Sequence, residues 1–232
     1  MRKKTIIIFT GVLVLAIATL AELVRLEPSP TPTDAAVSIG LTNYYNATLT
    51  DSLNSPRSVH ENNLAALPRG RQVFSGVTFE VAGVVQLSGK KLREWGRTEY
   101  PEAVSGIKVG KTCQRLYLLH GAGGVAYDQN EVIIAKLVLH YSDKSQKEIA
   151  IRRGEHVRDW WGDPKEGPTG TNSVLAWTGT NSAVKQYFGG KNYLRLYKTT
   201  FDNPVPAVAI DTIDYVSTMQ NSSPFLIGLT IE

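Results

Sequence analysis

Short apolar runs recur at close intervals along this chain, and their spacing is that of strands. Residues 77–81, VTFEV, alternate, so Val77, Phe79 and Val81 share one face of an extended segment. Residues 225–232, FLIGLTIE, alternate too. That pattern predicts Phe225, Ile227, Leu229 and Ile231 on one face and Gly228, Thr230 and Glu232 on the other. Further strands are predicted at 84–87, 107–109, 114–120, 132–141, 148–152, 174–177, 193–200 and 212–217. The unbroken apolar run LYLL at 116–119 predicts a central strand covered on both sides.

The connections carry turn chemistry: GAGG at 121–124, SDKS at 142–145, FGG at 188–190 and FDNP at 201–204. No segment sustains a helical apolar period past two turns. About ten short strands in one domain predict an all-β fold, a sandwich or barrel. Residues 46–67 are polar and irregular and read as a long loop laid over the sandwich.

The N-terminus differs in kind. MRKK precedes an uncharged apolar run from Thr5 to Ala21, and small residues stand at Thr19 and Ala21. A positive start, an apolar stretch and a small-residue end are the pattern of a secretory signal; uncut, the run is about long enough to span a bilayer. Either way the rest of the chain is expected outside the cytoplasmic membrane: secreted, periplasmic or anchored, with membrane contact only through this segment. EPSPTPTD at 27–34 reads as a stiff extended spacer. The organisation is therefore residues 1–26 signal or anchor, 27–36 Pro-rich linker and 37–232 a β-sandwich domain of full-sized core.

Charge adds little. The 232 residues carry a net charge of +4, but residues 1–27 hold Arg2, Lys3, Lys4 and Arg25 against Glu22 and Glu27, so the remainder is only +2. Basic residues come in short groups such as Lys90 to Arg93, which argues against nucleic acid as a partner. The single cysteine, Cys113, excludes an internal disulfide and a cysteine-rich zinc site; it reads as a small buried hydrophobe.

The search for chemistry leads to one stretch. The four histidines, His60, His120, His140 and His156, form no metalloprotease pair, and no nucleophile elbow or dinucleotide loop is present. His120 and His140 end apolar runs and read as hydrogen-bonded strand-end side chains. No catalytic residues are assigned. GEHVRDWWGDP, residues 154–164, crowds Arg158, Asp159, Trp160 and Trp161 between two turn formers. Adjacent side chains of an extended chain point to opposite faces, so one indole is expected to plug the sandwich and the other to lie near the surface. A flat indole beside a guanidinium and a carboxylate suits a sugar, whose C–H faces stack and whose hydroxyls take the charges. The alternative is an edge seal, with Arg158 stacked on a tryptophan and paired with Asp159. Trp177 and Asn181 in LAWTGTN are candidates for the same patch, while Trp95 is assigned to closing another part of the fold.

Seven blocks occur in order: SIGLTNYYNATL (38–49), LPRGRQVFSGVTFEVAGVVQL (67–87), LYLLHGAGG (116–124), AKLVLHYSDKSQKEIAIRRGEHVRDWW (135–161), LAWTGTN (175–181), LYKTTFDNPVPAVAIDTIDYVST (196–218) and PFLIGLTIE (224–232). The chain thereby resembles the galactose-binding-like jelly-roll modules of exported bacterial proteins, of the NPCBM or carbohydrate-binding-module type. The resemblance implies a jelly-roll β-sandwich and a non-catalytic role in binding a glycan. No cofactor is implied, although some such modules hold a structural calcium, which backbone carbonyls can bind without leaving a mark in the sequence. A second reading is a structural or protein-interaction sandwich whose partner is a cell-envelope component and in which the tryptophans are core.

Overall fold

The computed structural model describes residues 36–124, 127–191 and 193–232. The signal or anchor and the spacer up to residue 35 lie outside them. The described chain is all-β, with two sheets packed face to face and a third layer over one of them. In chain order the elements are β1 (Val37–Ile39), β2 (Gly70–Phe74), β3 (Val77–Val81), β4 (Val85–Gln86), α1 (Lys90–Glu94), β5 (Ala103–Lys111), β6 (Arg115–Gly123), β7 (Ile133–Tyr141), β8 (Gln146–Arg152), β9 (Ser173–Gly179), α2 (Ser182–Phe188), β10 (Leu194–Asp202), β11 (Ile210–Ser217) and β12 (Ser223–Ile231). One sheet runs β1-β12-β6-β10-β9, with β4 also paired to β12; the other runs β5-β11-β7-β8; β2 and β3 form a hairpin of their own. All these strand pairings are antiparallel. From β5 onward the chain passes back and forth between the two large sheets, and only the hairpins β7–β8 and β9–β10 stay within one.

The central strands of the six-stranded sheet, β6, β10 and β12, are buried on both faces. Toward the four-stranded sheet they present Leu116, Leu118, Tyr197, Leu226, Leu229 and Ile231, which pack with Ile107, Leu137, Leu139, Ile151, Ile213 and Tyr215. Their other face presents Tyr117, Leu119, Leu196, Phe225 and Ile227 to a second core, closed by Phe74, Phe79 and Val81 of the β2–β3 hairpin and by Leu49, Leu53, Leu64 and Leu67. This is why LYLL is apolar at every position: alternate residues serve different cores. The 46–67 segment contributes Ala47, Leu49, Leu53, Leu64 and Leu67 as apolar anchors, so it is a layer of the fold in its own right.

Two expectations are corrected by geometry. The alternation in FLIGLTIE does not put Phe225, Ile227, Leu229 and Ile231 on one face. The pairing of β12 with β6 shifts register between Leu226 and Gly228. A bulge of this kind changes which face the following residues take. Phe225 and Ile227 therefore enter the second core, whereas Leu229 and Ile231 enter the first. GAGG is likewise no turn up to Gly123, because β6 continues through it. Its glycines answer to close packing: a Cβ on Gly121 would lie 2.4 Å from the Phe225 ring, and one on Gly123 would lie 2.4 Å from the Asn54 side chain. SDKS and FGG hold their places, SDKS joining β7 to β8 and Gly189 ending α2 at φ 64°, whereas FDNP turns only after Asp202, because β10 runs through its first two residues.

Candidate functional site

β6 and β10 pair from Arg115↔Asp202 as far as His120↔Tyr197. Beyond that pair the two strands accept a third segment between them, residues 159–161. Asp159 bridges to Ala122 of β6 and Trp161 to Leu194 of β10. The Trp160 N–H donates to the Ala122 carbonyl at 2.9 Å, and the Arg195 N–H donates to the Trp160 carbonyl at 2.8 Å. The chain bends at Trp160, and that bend lets two adjacent indoles approach one core from different directions.

Trp160 is 2% exposed and meets Phe225 edge to face at 5.5 Å. It has no free face on which a ligand could stack. Trp161 is half-buried. Its Nε1–H donates to Asn62 Oδ1 at 3.0 Å, and its ring lies 5.4 Å from Tyr187 and 6.0 Å from Phe188 of α2. Asn62 is fully buried and also accepts from Asn181 Nδ2 at 3.2 Å, while its own amide donates to the Leu53 carbonyl. One asparagine from the 46–67 layer thus fixes the indole plane and the start of α2 together.

The loop after Trp161 is held by Arg195, which is 2% exposed. Its guanidinium donates to the carbonyls of Asp159, Trp161, Asp163 and Glu166 at 2.7 to 3.2 Å. Each of these oxygens would otherwise need water or a strand partner. Gly162, at φ 155°, is required beside it, because a Cβ there would stand 2.3 Å from Arg195 Nη2. The Asp163 carboxyl is held below its usual range, first by the Lys165 backbone N–H and also by the Tyr193 hydroxyl. Upstream, the His156 carbonyl accepts from the Ser173 and Thr199 hydroxyls, and the His156 Nδ1 accepts from the Arg152 N–H.

Beside Trp161 opens a cleft of about 400 Å³. Trp95, Tyr127, Trp161 and Tyr187 give it aromatic walls, Trp160 and Ser55 are buried beneath, and Asp159 and Asn62 supply polar edges. Tyr127 and Tyr187 are 59% and 65% exposed and stand at the rim. Tyr127 is steadied from below: its carbonyl accepts from Asn221 Nδ2 at 3.0 Å, and the neighbouring Asp128 carboxylate accepts the Asn221 and Ser222 backbone N–H groups. Lys91 Nζ lies 5.0 Å from the Tyr127 ring centre.

Of the six residues singled out by sequence, Asp159, Trp160 and Trp161 come together at this cleft. Arg158 lies next door: its Nε–H donates to the Gly167 carbonyl at 2.6 Å rather than reaching Asp159, and it lines a smaller hollow. Trp177 and Asn181 do not line the cleft. Trp177, on β9, packs against the second core, its ring filling the space a Cβ on Gly179 would need. Asn181 caps α2, accepting the Val184 N–H at 2.8 Å, and is 8% exposed. Trp95, assigned by sequence to another part of the fold, is a cleft wall. Tyr127, Tyr187 and Asn62 were not singled out at all. The one signal for Tyr187 and Asn62 was their place beside other aromatic or amide residues in segments free of strand periodicity.

Two histidines and the cysteine sit in polar contacts away from the cleft. His120 Nε2 lies 2.8 Å from Thr199 Oγ1, fully buried within β6 rather than at a strand end. Burial, and then the neighbouring His156, push the His120 pKa down to about 3. His140 Nε2 lies 3.0 Å from Asp214 Oδ2, whose other oxygen accepts the Gly106 N–H. Cys113 is buried, and its burial raises the thiol pKa. Among the described residues, no three His, Cys, Asp or Glu side chains come together in a way that could hold a metal ion.

Fold and site together define an antiparallel β-sandwich with a third layer and an aromatic-walled cleft at one sheet end. Comparison with protein-family models, with curated proteins and with solved structures finds no match to this chain.

Proposed function

We propose that this chain is an exported, non-catalytic glycan-binding module, built as a jelly roll, whose ligand lies in the cleft against Trp161. The observation that carries the reading is the cleft itself: an indole held in one orientation by Asn62, faced by Tyr187 and Trp95, with the Asp159 carboxylate at its edge. Pyranose rings present flat C–H faces and a rim of hydroxyls, which is what such a wall and edge accommodate. Preorganised aromatics lose little entropy on binding. The passage of successive strands between two antiparallel sheets supports the jelly-roll reading. The charged start and apolar run of residues 1–21 support export.

The test is a glycan array followed by titration, using the wild-type protein and Tyr187→Ala. Tyr187 is the most exposed wall residue, so its loss leaves the fold intact. Glycan binding that weakens about tenfold in Tyr187→Ala, with an unchanged melting curve, supports the reading. No binding to any glycan by a folded wild-type protein overturns it and leaves the cell-envelope interaction reading in its place.

A further inference from the structure

We infer that the glycan bound in the cleft is anionic, and that Arg158 reads its carboxylate or sulfate in the adjoining hollow. The inference rests on the glycan reading of the cleft. The hollow has a volume of about 190 Å³ and shares Asp159 and Trp161 with the cleft as common lining, so a saccharide against the indole has its next substituent or residue within reach of it. The rest of its wall is Asn130, Arg153, Gly154, Glu166, Arg158 and Arg195. Three guanidinium groups therefore face two carboxylates.

The two carboxylates are already engaged. Glu166 lies 3.8 Å from Arg195 Nη1, and Asp159 Oδ1 accepts the Trp161 N–H at 3.0 Å. Arg195 spends its donors on four loop carbonyls, and Arg153 donates to Asn130 Oδ1. Arg158 differs. Its Nε is tied to the Gly167 carbonyl, which fixes the plane of the group, while its two terminal nitrogens meet no hydrogen-bond or ion-pair partner among the described residues. A half-buried guanidinium with an anchored Nε and open terminal nitrogens is set to receive a planar or tetrahedral oxyanion. The buried charge of Arg195 behind it adds to the same positive field. A neutral sugar would leave that group without a counter-charge.

The test compares three oligosaccharides of one ring type by calorimetric titration of the full chain: an oligogalacturonate, its carboxyl-reduced neutral counterpart and a sulfated galacto-oligosaccharide. Each is measured with wild type, Arg158→Gln and Arg158→Lys, at low and at moderate salt, after a melting curve has shown each variant folded. The expected result is that one or both acidic ligands bind at least about tenfold tighter than the neutral one, the scale of one charge-assisted hydrogen-bonded pair. Which acid wins tells carboxylate from sulfate. Arg158→Gln then removes the preference while leaving neutral binding unchanged, Arg158→Lys keeps part of it, and added salt narrows it. Equal affinity for acidic and neutral ligands overturns this inference and leaves the glycan reading standing. A preference that survives Arg158→Gln also overturns it. Failure of all three ligands to bind overturns the inference and counts against the glycan reading as well. Should the melt show Arg158→Gln unfolded, the wild-type salt dependence and Arg158→Lys decide.

Discussion

His120 makes stability depend on pH in a direction that burial dictates. Its pKa is about 3 in the folded chain against an ordinary value of 6.5. Below pH 6.5 the unfolded chain therefore takes up a proton that the folded chain refuses, and stability falls as pH drops toward 3, by up to about 1.4 kcal/mol per pH unit. His156 is also shifted down, first by burial, and acts with the same sign. Urea melts at pH 7, 6, 5 and 4 should show this slope, and His120→Asn should make it shallower; an unchanged slope would mean that other groups set it. Trp160 is the other decisive single residue. Trp160→Ala empties a site against Phe225 and should cost about 3–5 kcal/mol by denaturant melt. The sequence foresaw one plugging indole and one near the surface. It did not tell which, because the bend at Trp160 depends on Ala122 and Arg195, more than thirty residues away in either direction.

Elements that position the cleft are short and hang on a few polar side chains. α2 has seven residues, too few to persist alone. It stands on the Asn181 cap and on that residue's bonds to Asn62 and the Asn63 carbonyl. Asn181→Ala should cost about 1 kcal/mol of stability but loosen Tyr187 more than that figure suggests, seen as faster amide exchange confined to 182–189. Arg195→Lys should release the loop at 159–166, with a loss of about 3 kcal/mol, since several carbonyls lose their donors at once; amide exchange at Trp161 and Gly162 reads it directly. Strands β3 to β12 were legible as short apolar runs bounded by turn residues, but the face each residue takes was not, because bulges such as that between Leu226 and Gly228 interrupt the alternation. β1 is too short to show a period, and in β2, GRQVF, only Phe74 is buried, so neither carries the signal. The cleft was half legible. Asp159, Trp160 and Trp161 announce themselves as neighbours in sequence, whereas Trp95, Tyr127 and Tyr187 are gathered from three separate connections by folding alone.

At the scale of the molecule, two cores share one sheet. Strands β6, β10 and β12 carry side chains of both, so neither core can melt while the other keeps its strands. Leu139→Ala in the first core and Phe79→Ala in the second, each expected to cost about 2–5 kcal/mol, should displace the same single transition as followed by fluorescence and by circular dichroism. Two separated transitions would show that the third layer unfolds by itself.

β12 has a further consequence for how the protein reaches this state. It lies between β6 on one side and β1 with β4 on the other, and every one of those partners precedes it by at least a hundred residues. Contacts of such sequence separation are entropically slow to form. Until β12 arrives, the apolar rows of β6 stand as an open edge, a template for the wrong partner. Yield of native protein should therefore respond strongly to temperature and to holding chaperones during expression, since both act on the interval before that one strand takes its place.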